Sequence, residues 1–468
     1  MPQVARPRRS SARRVPRARS VPPPPPSEST PSATQPVYRS VVAWLLGLLP
    51  QAGFHRPTCK RLALLVSGLL AGDSATTSAL AATIHQLHLS PAREASIHRR
   101  IARTEDDPQL DPPYVLPALF RALLPTLLKS ALNAHRANEA SGPLHHARFL
   151  AVRLVLDATS KGDNVFVLTL GLAYQGLVLP LGLRTWAQNE PLPQGEYMAQ
   201  VSSLLSEIQG ALPAVLRAHV LFLADRGFCT PAVLDLVASV GWHWVLRVQD
   251  QTRVRAATGD EWAIRALAPA PGRVWAADAA VPPDRATPIE AFKKAGWRPC
   301  QVVAVWLVGQ DEPWLLLTDL PATLARLREY AQRWAIERLF LSWKSHGFDL
   351  EAVGIADPAR LGRLLTGLVI ATLWRLAAAA PLAAQQLTDL SRRMPQPRQL
   401  PLPWDPPAAG PTTLTPPWPA KFSLFTWGTK QFREVSPCVG TPELWWAFPD
   451  WDAPSWSQQC CTAYYGAA

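Results

Sequence analysis

Tyr330, Arg333, Glu337 and Lys344 stand three, four and seven residues apart in a stretch free of Gly and Pro. Good helix formers surround them, so the stretch predicts a helix. At about 100° per residue the four side chains share one stripe roughly 60° wide. Ile336, Leu339, Phe340 and Trp343 fall on a different face, at roughly 180° to 280°. One side of this helix packs on a core, and the other carries a carboxylate flanked by two cations and a phenol. That set can grip a phosphate backbone beside a metal-binding acid. A solvated face with spaced charges gives the same pattern, and the helix alone does not separate the two.

The spacing Tyr-x2-Arg-x3-Glu-x6-Lys resembles the signature of bacterial insertion-sequence transposases of the DDE type, the IS-four family. Trp334, Ile336 and Phe340 also match positions usual in that family. The chemistry needs two more carboxylates upstream, because two-metal phosphoryl transfer uses acids converging from separate elements on ions about 4 Å apart. Val152, Leu154 and Leu156 alternate toward Asp157, which predicts a strand closing on that aspartate. The apolar run 220–224 ends at Asp225, and Asp225-Arg226-Gly227-Phe228 is a second family motif. Strand ends suit metal ligands because they fix a side chain beside a pocket. Asp163 in a Lys-Gly-Asp-Asn turn, Asp235 within a helix and Asp319 at the end of the strand 314–319 are rivals. Asp319 is the most serious rival to Asp225. His346, two residues past Lys344, reads as a surface residue.

The resemblance implies that Asp157, Asp225 and Glu337 are catalytic and hold two Mg²⁺ (or Mn²⁺) ions. It assigns Tyr330, Arg333 and Lys344 to phosphates near the scissile strand, and Arg226 to support of Asp225. Arg suits forked phosphate contacts and Lys a point charge. No nucleophilic side chain is required, since water and then a DNA 3′-hydroxyl attack phosphorus in line.

These residues need a scaffold. Segments 165–174 and 177–186 predict two strands about a turn at 175–176, followed by a helix over 196–216, a strand over 220–224, a helix over 231–240 and a strand over 242–248. Three strands in meander and then alternating helix and strand is the order of an α/β, ribonuclease-H-like mixed sheet with flanking helices. Residues 249–313 leave the pattern with Pro- and Gly-rich turns and apparent strands such as 302–308, a mostly β insertion before the helix of Glu337. In the resembling family this insertion bears on the DNA end, which makes Trp297 and Trp306 candidates for base contact; packing is the role expected of each. Ahead of the core, helical patterns cover 40–49, 59–70, 77–85 and 92–103. The last turns Arg99, Arg100 and Arg103 to one side and Ile97 and Ile101 to another, so an all-α DNA-binding domain is expected there. The expected organisation is an Arg- and Pro-rich arm over 1–36, helical domain 37–145, core 146–248, β insertion 249–313, core 314–385 and a Pro- and Trp-rich segment 386–468. In that last segment, 422–425 resembles an apolar box of the family.

Composition agrees with a polyanionic partner: 47 Lys and Arg against 35 acids give +12, with a pI near 9.8. The six cysteines show no CxxC and no metal-ligand spacing, which suits reduced thiols in the cytoplasm. Residues 364–384 are apolar but carry Arg375 and Pro381, so a buried helix is expected and no membrane span. The expected protein is a bacterial, nucleoid-associated transposase acting on double-stranded DNA, both element ends and target. The resemblance also implies a homodimer in the DNA complex. Two alternatives stay open: a non-catalytic or domesticated DNA-binding relative, and a ribonuclease-H-like nuclease without strand transfer.

Overall fold

The computed structural model describes residues 35–393 except 141–149, 151, 175–176, 191, 280–285 and 346. The arm before residue 35, the 175–176 turn, His346, the 422–425 box and Cys438, Cys460 and Cys461 lie outside the described residues.

Six helices come first: α1 (Gln35–Leu48), α2 (Arg56–Ala71), α3 (Thr77–Gln86), α4 (Glu94–Glu105), α5 (Pro112–Leu127) and α6 (Lys129–Ala140). Thr76 opens α3 by accepting a hydrogen bond from the Ala79 N–H, as an N-cap should. Sequence patterning finds the first four helices and misses α5 and α6. Pro117 and Pro125 lie inside α5, where each removes a backbone donor and hides the helix from propensity reasoning. The apolar face of α5 is nonetheless buried through Val115, Leu116, Leu119, Phe120 and Leu124.

A large mixed sheet follows. β1 (Val152–Lys161), β2 (Val165–Tyr174) and β3 (Leu177–Ala187) form an antiparallel meander. After α7 (Glu196–Ala211), β4 (Val220–Ala224) joins β1 in parallel, and after α8 (Pro231–Ser239), β5 (His243–Arg247) joins β4 in parallel. The expected helix 196–216 ends early at Leu212-Pro213, because proline cannot continue it. The insertion divides. β6 (Arg253–Ala256), β7 (Glu261–Ala263), β9 (Pro288–Ala291) and β10 (Arg298–Pro299) make a separate four-stranded sheet ordered β10-β9-β6-β7. β8 (Val274–Trp275), β11 (Gln301–Val305) and β12 (Trp314–Thr318) instead extend the large sheet to the order β3-β2-β1-β4-β5-β12-β11-β8. The strand expected over 302–308 is thus β11, shorter at its end and part of the main sheet. This mixed sheet with flanking helices is consistent with a ribonuclease-H-like DDE domain.

The chain then enters α9 (Ala325–Ala331), a 3₁₀ turn over Gln332–Trp334, and α10 (Ala335–Lys344). The single helix expected over this stretch is therefore interrupted at the signature arginine. A 3₁₀ turn eclipses side chains three apart, and the Arg333 guanidinium lies 5.8 Å from the centre of the Tyr330 ring. α10 packs on β1, β2 and β3, burying Ile336, Leu339, Phe340 and Trp343 as its periodicity requires.

α11 (Pro358–Arg393) ties the N-terminal helices to the sheet, packing on α2, α4, α5 and β3. Its crossing with α2 is close at Gly367, where an added Cβ would stand 2.8 Å from Leu65. Trp44 of α1 meets Trp374 edge-on at 5.9 Å. Arg375 donates to the Leu69 and Gly72 carbonyls at 2.7 and 3.1 Å, serving acceptors that the end of α2 leaves without helical donors. Residues Pro358–Ala378 are long and apolar enough to cross a membrane, yet most of that span is buried inside the fold. Buried apolar side chains from Val37 to Ala378 belong to one core.

Candidate active site

β1 and β4 run in parallel, with Leu156 opposite Ala224. Asp157 is the next residue of β1 and Asp225 the first residue after β4, so the local register sets them side by side. Asp157 does not close β1, which continues to Lys161 against β2 alone; what ends at Leu156 is the pairing with β4. The sheet thereby opens at Asp157 without the strand stopping. α10 brings Glu337 to the same place in its first turn.

Two side chains of the 330–344 stretch join these acids. Arg333 is buried and bridges two of them, Nη1 donating to Asp157 Oδ2 and Nη2 to Glu337 Oε1, each at 2.8 Å. The Tyr330 hydroxyl donates to Asp225 Oδ1 at 3.3 Å, and its ring packs edge-on to Trp314 at 5.6 Å. Asp157 also accepts the Ala158 N–H at 2.8 Å. The solvated-face alternative for this helix is thus excluded at Tyr330 and Arg333, which are almost fully buried.

The electrostatics follow from burial. Desolvation pushes the Asp157 carboxyl up; Arg333 and the Ala158 N–H pull it down, while Asp225 and Glu337 push it up again. Three carboxylates are therefore close enough to feel one another. Burial also pushes the Tyr330 phenol well above its ordinary range, which keeps it a neutral donor. Burial opposes the charge on Arg333, yet Tyr330, Asp157, Asp225 and Glu337 together hold it above the usual guanidinium value.

The other expected site residues are held nearby or elsewhere. Lys344 Nζ lies 3.4 Å from Glu351 Oε1, and the Glu351 carboxylate also accepts the Gly162 N–H after β1. Arg226 turns to Glu312, at 3.3 Å, and Glu312 also pairs with Arg247 at 2.8 Å. The side-chain partner of Arg226 is therefore Glu312, and its expected contact with the Asp225 carboxylate is not made. Arg99, Arg100 and Arg103 are exposed on α4. The rival Asp319 accepts the Trp244 N–H at 2.9 Å and pairs with His243 at 2.6 Å, at the start of β5 and away from the strand end that carries Asp225. Asp235 pairs with Arg298, and Asp163 sits in the β1–β2 turn. Trp297 and Trp306 are occupied by the Arg255 and Arg265 guanidinium groups over their rings, at 4.5 and 4.0 Å. Sequence reasoning missed Glu312, Glu351 and Trp314. Their spacing carries no motif, and Glu312–Arg226 and Glu351–Gly162 are contacts between segments far apart in the chain.

Three carboxylates are the hard oxygen donors that Mg²⁺ and Mn²⁺ prefer. Among the described residues, however, no group of three or more acids, His or Cys stands ready to hold a metal ion. The Arg333 guanidinium bridges two of the three carboxylates. The donor chemistry fits a divalent ion, and the cation now balancing it is a side chain.

Residues 198–374 match the family model of the transposase DDE domain. That match supports a DDE transposase. Asp225, Tyr330, Arg333, Glu337 and Lys344 fall within the matched DDE domain, whereas Asp157 precedes it and owes its place to the register of β1 on β4. No curated protein matches the chain.

Proposed function

We propose that this chain is a DNA transposase that cleaves at the ends of a mobile element and transfers the freed 3′-hydroxyls into target DNA. The observation that carries the reading is the Tyr330–Arg333 pair, which links Asp157, Asp225 and Glu337 from a strand, a strand end and a helix. Asp157, Asp225 and Glu337 would hold Mg²⁺ or Mn²⁺, two ions being expected. Held there, the ions would supply activation of the attacking oxygen and charge neutralisation at the leaving one. Tyr330 keeps Asp225 oriented toward the site through its hydroxyl. Lys344 and Arg226, each facing a half-exposed glutamate, exchange that partner for DNA phosphate. Arg99, Arg100 and Arg103 add sequence-independent grip along the duplex. The protein works at the bacterial nucleoid, as a homodimer that brings two ends together.

Cleavage of labelled element ends in Mg²⁺ tests the assignment beside a binding titration. Asp157→Ala, Asp225→Ala and Glu337→Ala are each expected to lose at least ~10³-fold in cleavage while leaving DNA binding largely intact, within about ten-fold of the parent. Joint replacement of Arg99, Arg100 and Arg103 by Ala is expected to weaken DNA binding and to lower its salt dependence by up to about three units of log–log slope. Parent-like cleavage by any acid variant removes that residue from the site. Joining of a pre-cleaved 3′ end distinguishes a transposase from a nuclease that only cuts.

A further inference from the structure

Arg333 is placed unlike a phosphate ligand waiting for DNA. Its side chain is 4 % exposed, it gives one nitrogen to each of two acids at 2.8 Å, and its Nε is buried without a partner. The guanidinium lies 5.8 Å from the centre of the Tyr330 ring and 5.1 Å from that of the Trp334 ring. A fork that splits between two carboxylates makes neither bond bidentate, so each is easier to exchange than a paired fork would be. Glu337 is the loose end, at 45 % exposure against 15 % for Asp157. The oxygens Arg333 holds belong to two of the acids assigned to metal.

We propose that Arg333 is the resident counter-cation of the metal-free site, displaced from Asp157 and Glu337 by a divalent ion and thereby freed to grip a DNA phosphate. Resting on the transposase reading, this makes Arg333 a positioning residue that couples two ligands. In the metal-free protein it neutralises two buried or half-buried acids. When a divalent cation takes their oxygens, the same guanidinium loses both partners and becomes available to phosphate. Metal then strengthens DNA binding, and DNA strengthens metal binding by the same factor, as linkage requires.

The test uses the full chain, with Mn²⁺ binding followed by calorimetry and DNA binding by fluorescence anisotropy with and without Ca²⁺. Arg333→Gln is expected to bind Mn²⁺ about ten-fold more tightly than the parent and to lose most of the metal-induced gain in DNA affinity, a gain of about ten-fold in the parent. Arg333→Lys keeps a cation but lacks the fork that reaches both acids, and should fall between the two. It also covers the case in which Arg333→Gln does not fold without metal. Mn²⁺ affinities in both variants equal to or below the parent's would overturn the counter-cation role. If the parent binds no Mn²⁺, or if Asp157→Asn binds it as the parent does, the metal-site reading itself is wrong, which is a separate failure.

Discussion

At the residue scale, the site is a problem of placing negative charge away from water. Asp157 is desolvated beside two other acids, a setting in which a carboxylate stays ionised only with a cation in contact. Arg333 is that cation in the protein alone. Tyr330 solves a smaller problem, since its buried hydroxyl needs an acceptor and Asp225 provides one. Tyr330→Phe keeps the packing on Trp314 and removes only the donor. Cleavage in single turnover is expected to fall about ten-fold or more, the worth of one hydrogen bond to a charged group. The unfolding midpoint should move little. Unchanged cleavage would show that the hydroxyl does not orient Asp225.

At the element scale, the basic helix α4 is locked to α11 by a buried carboxylate. Glu105 is 1 % exposed; it accepts from Thr77 Oγ1 at 2.9 Å and from Arg360 at 3.2 Å. Arg363 donates to the Glu105 carbonyl and to Asp111, at 3.0 and 2.6 Å. Burial pushes the Glu105 carboxyl above its ordinary value of 4.5, with Thr77 and Arg360 offsetting part of the rise. In that window the folded state binds more protons than the unfolded, so this group lowers stability as pH rises from about 4.5 through its folded pKa. Glu105→Gln lacks this term. The melting temperature of the variant minus that of the parent should therefore grow more positive between pH 4.5 and pH 7. Thermal denaturation across that range checks it, and the opposite trend would mean that the Arg360 pair outweighs desolvation.

At the scale of the whole molecule, the helices before residue 141 and the large sheet share one core. α11 contacts α2, α4, α5 and β3, and α5 contacts both β3 and α7. Removing residues 1–145 would expose the face of α11 that carries Gly367 and Trp374, and the part of β3 that α5 covers. The truncated chain is expected to aggregate or to lose cooperative unfolding, as judged by size-exclusion chromatography and thermal denaturation. A monomeric, cooperatively folding product would show that the sheet and its own helices suffice. The expected boundary between a helical domain and a core thus marks a change of secondary structure inside one packed body.

Local spacing by itself determined the apolar face of α10, the alternation that builds β1 and the order of the meander, because helix and strand periods act over a few residues. Pro117 and Pro125 concealed α5, whose stability comes from the sheet it covers and not from its own propensity. β8 and β11 looked like parts of a separate insertion, since a strand's pattern shows which face is buried but not which sheet it joins. Only the tertiary structure decided that Arg333 reaches Asp157 across 176 residues and that Tyr330 reaches Asp225 across 105. A side chain's period fixes the direction in which it points. What it meets there depends on which distant element has packed opposite.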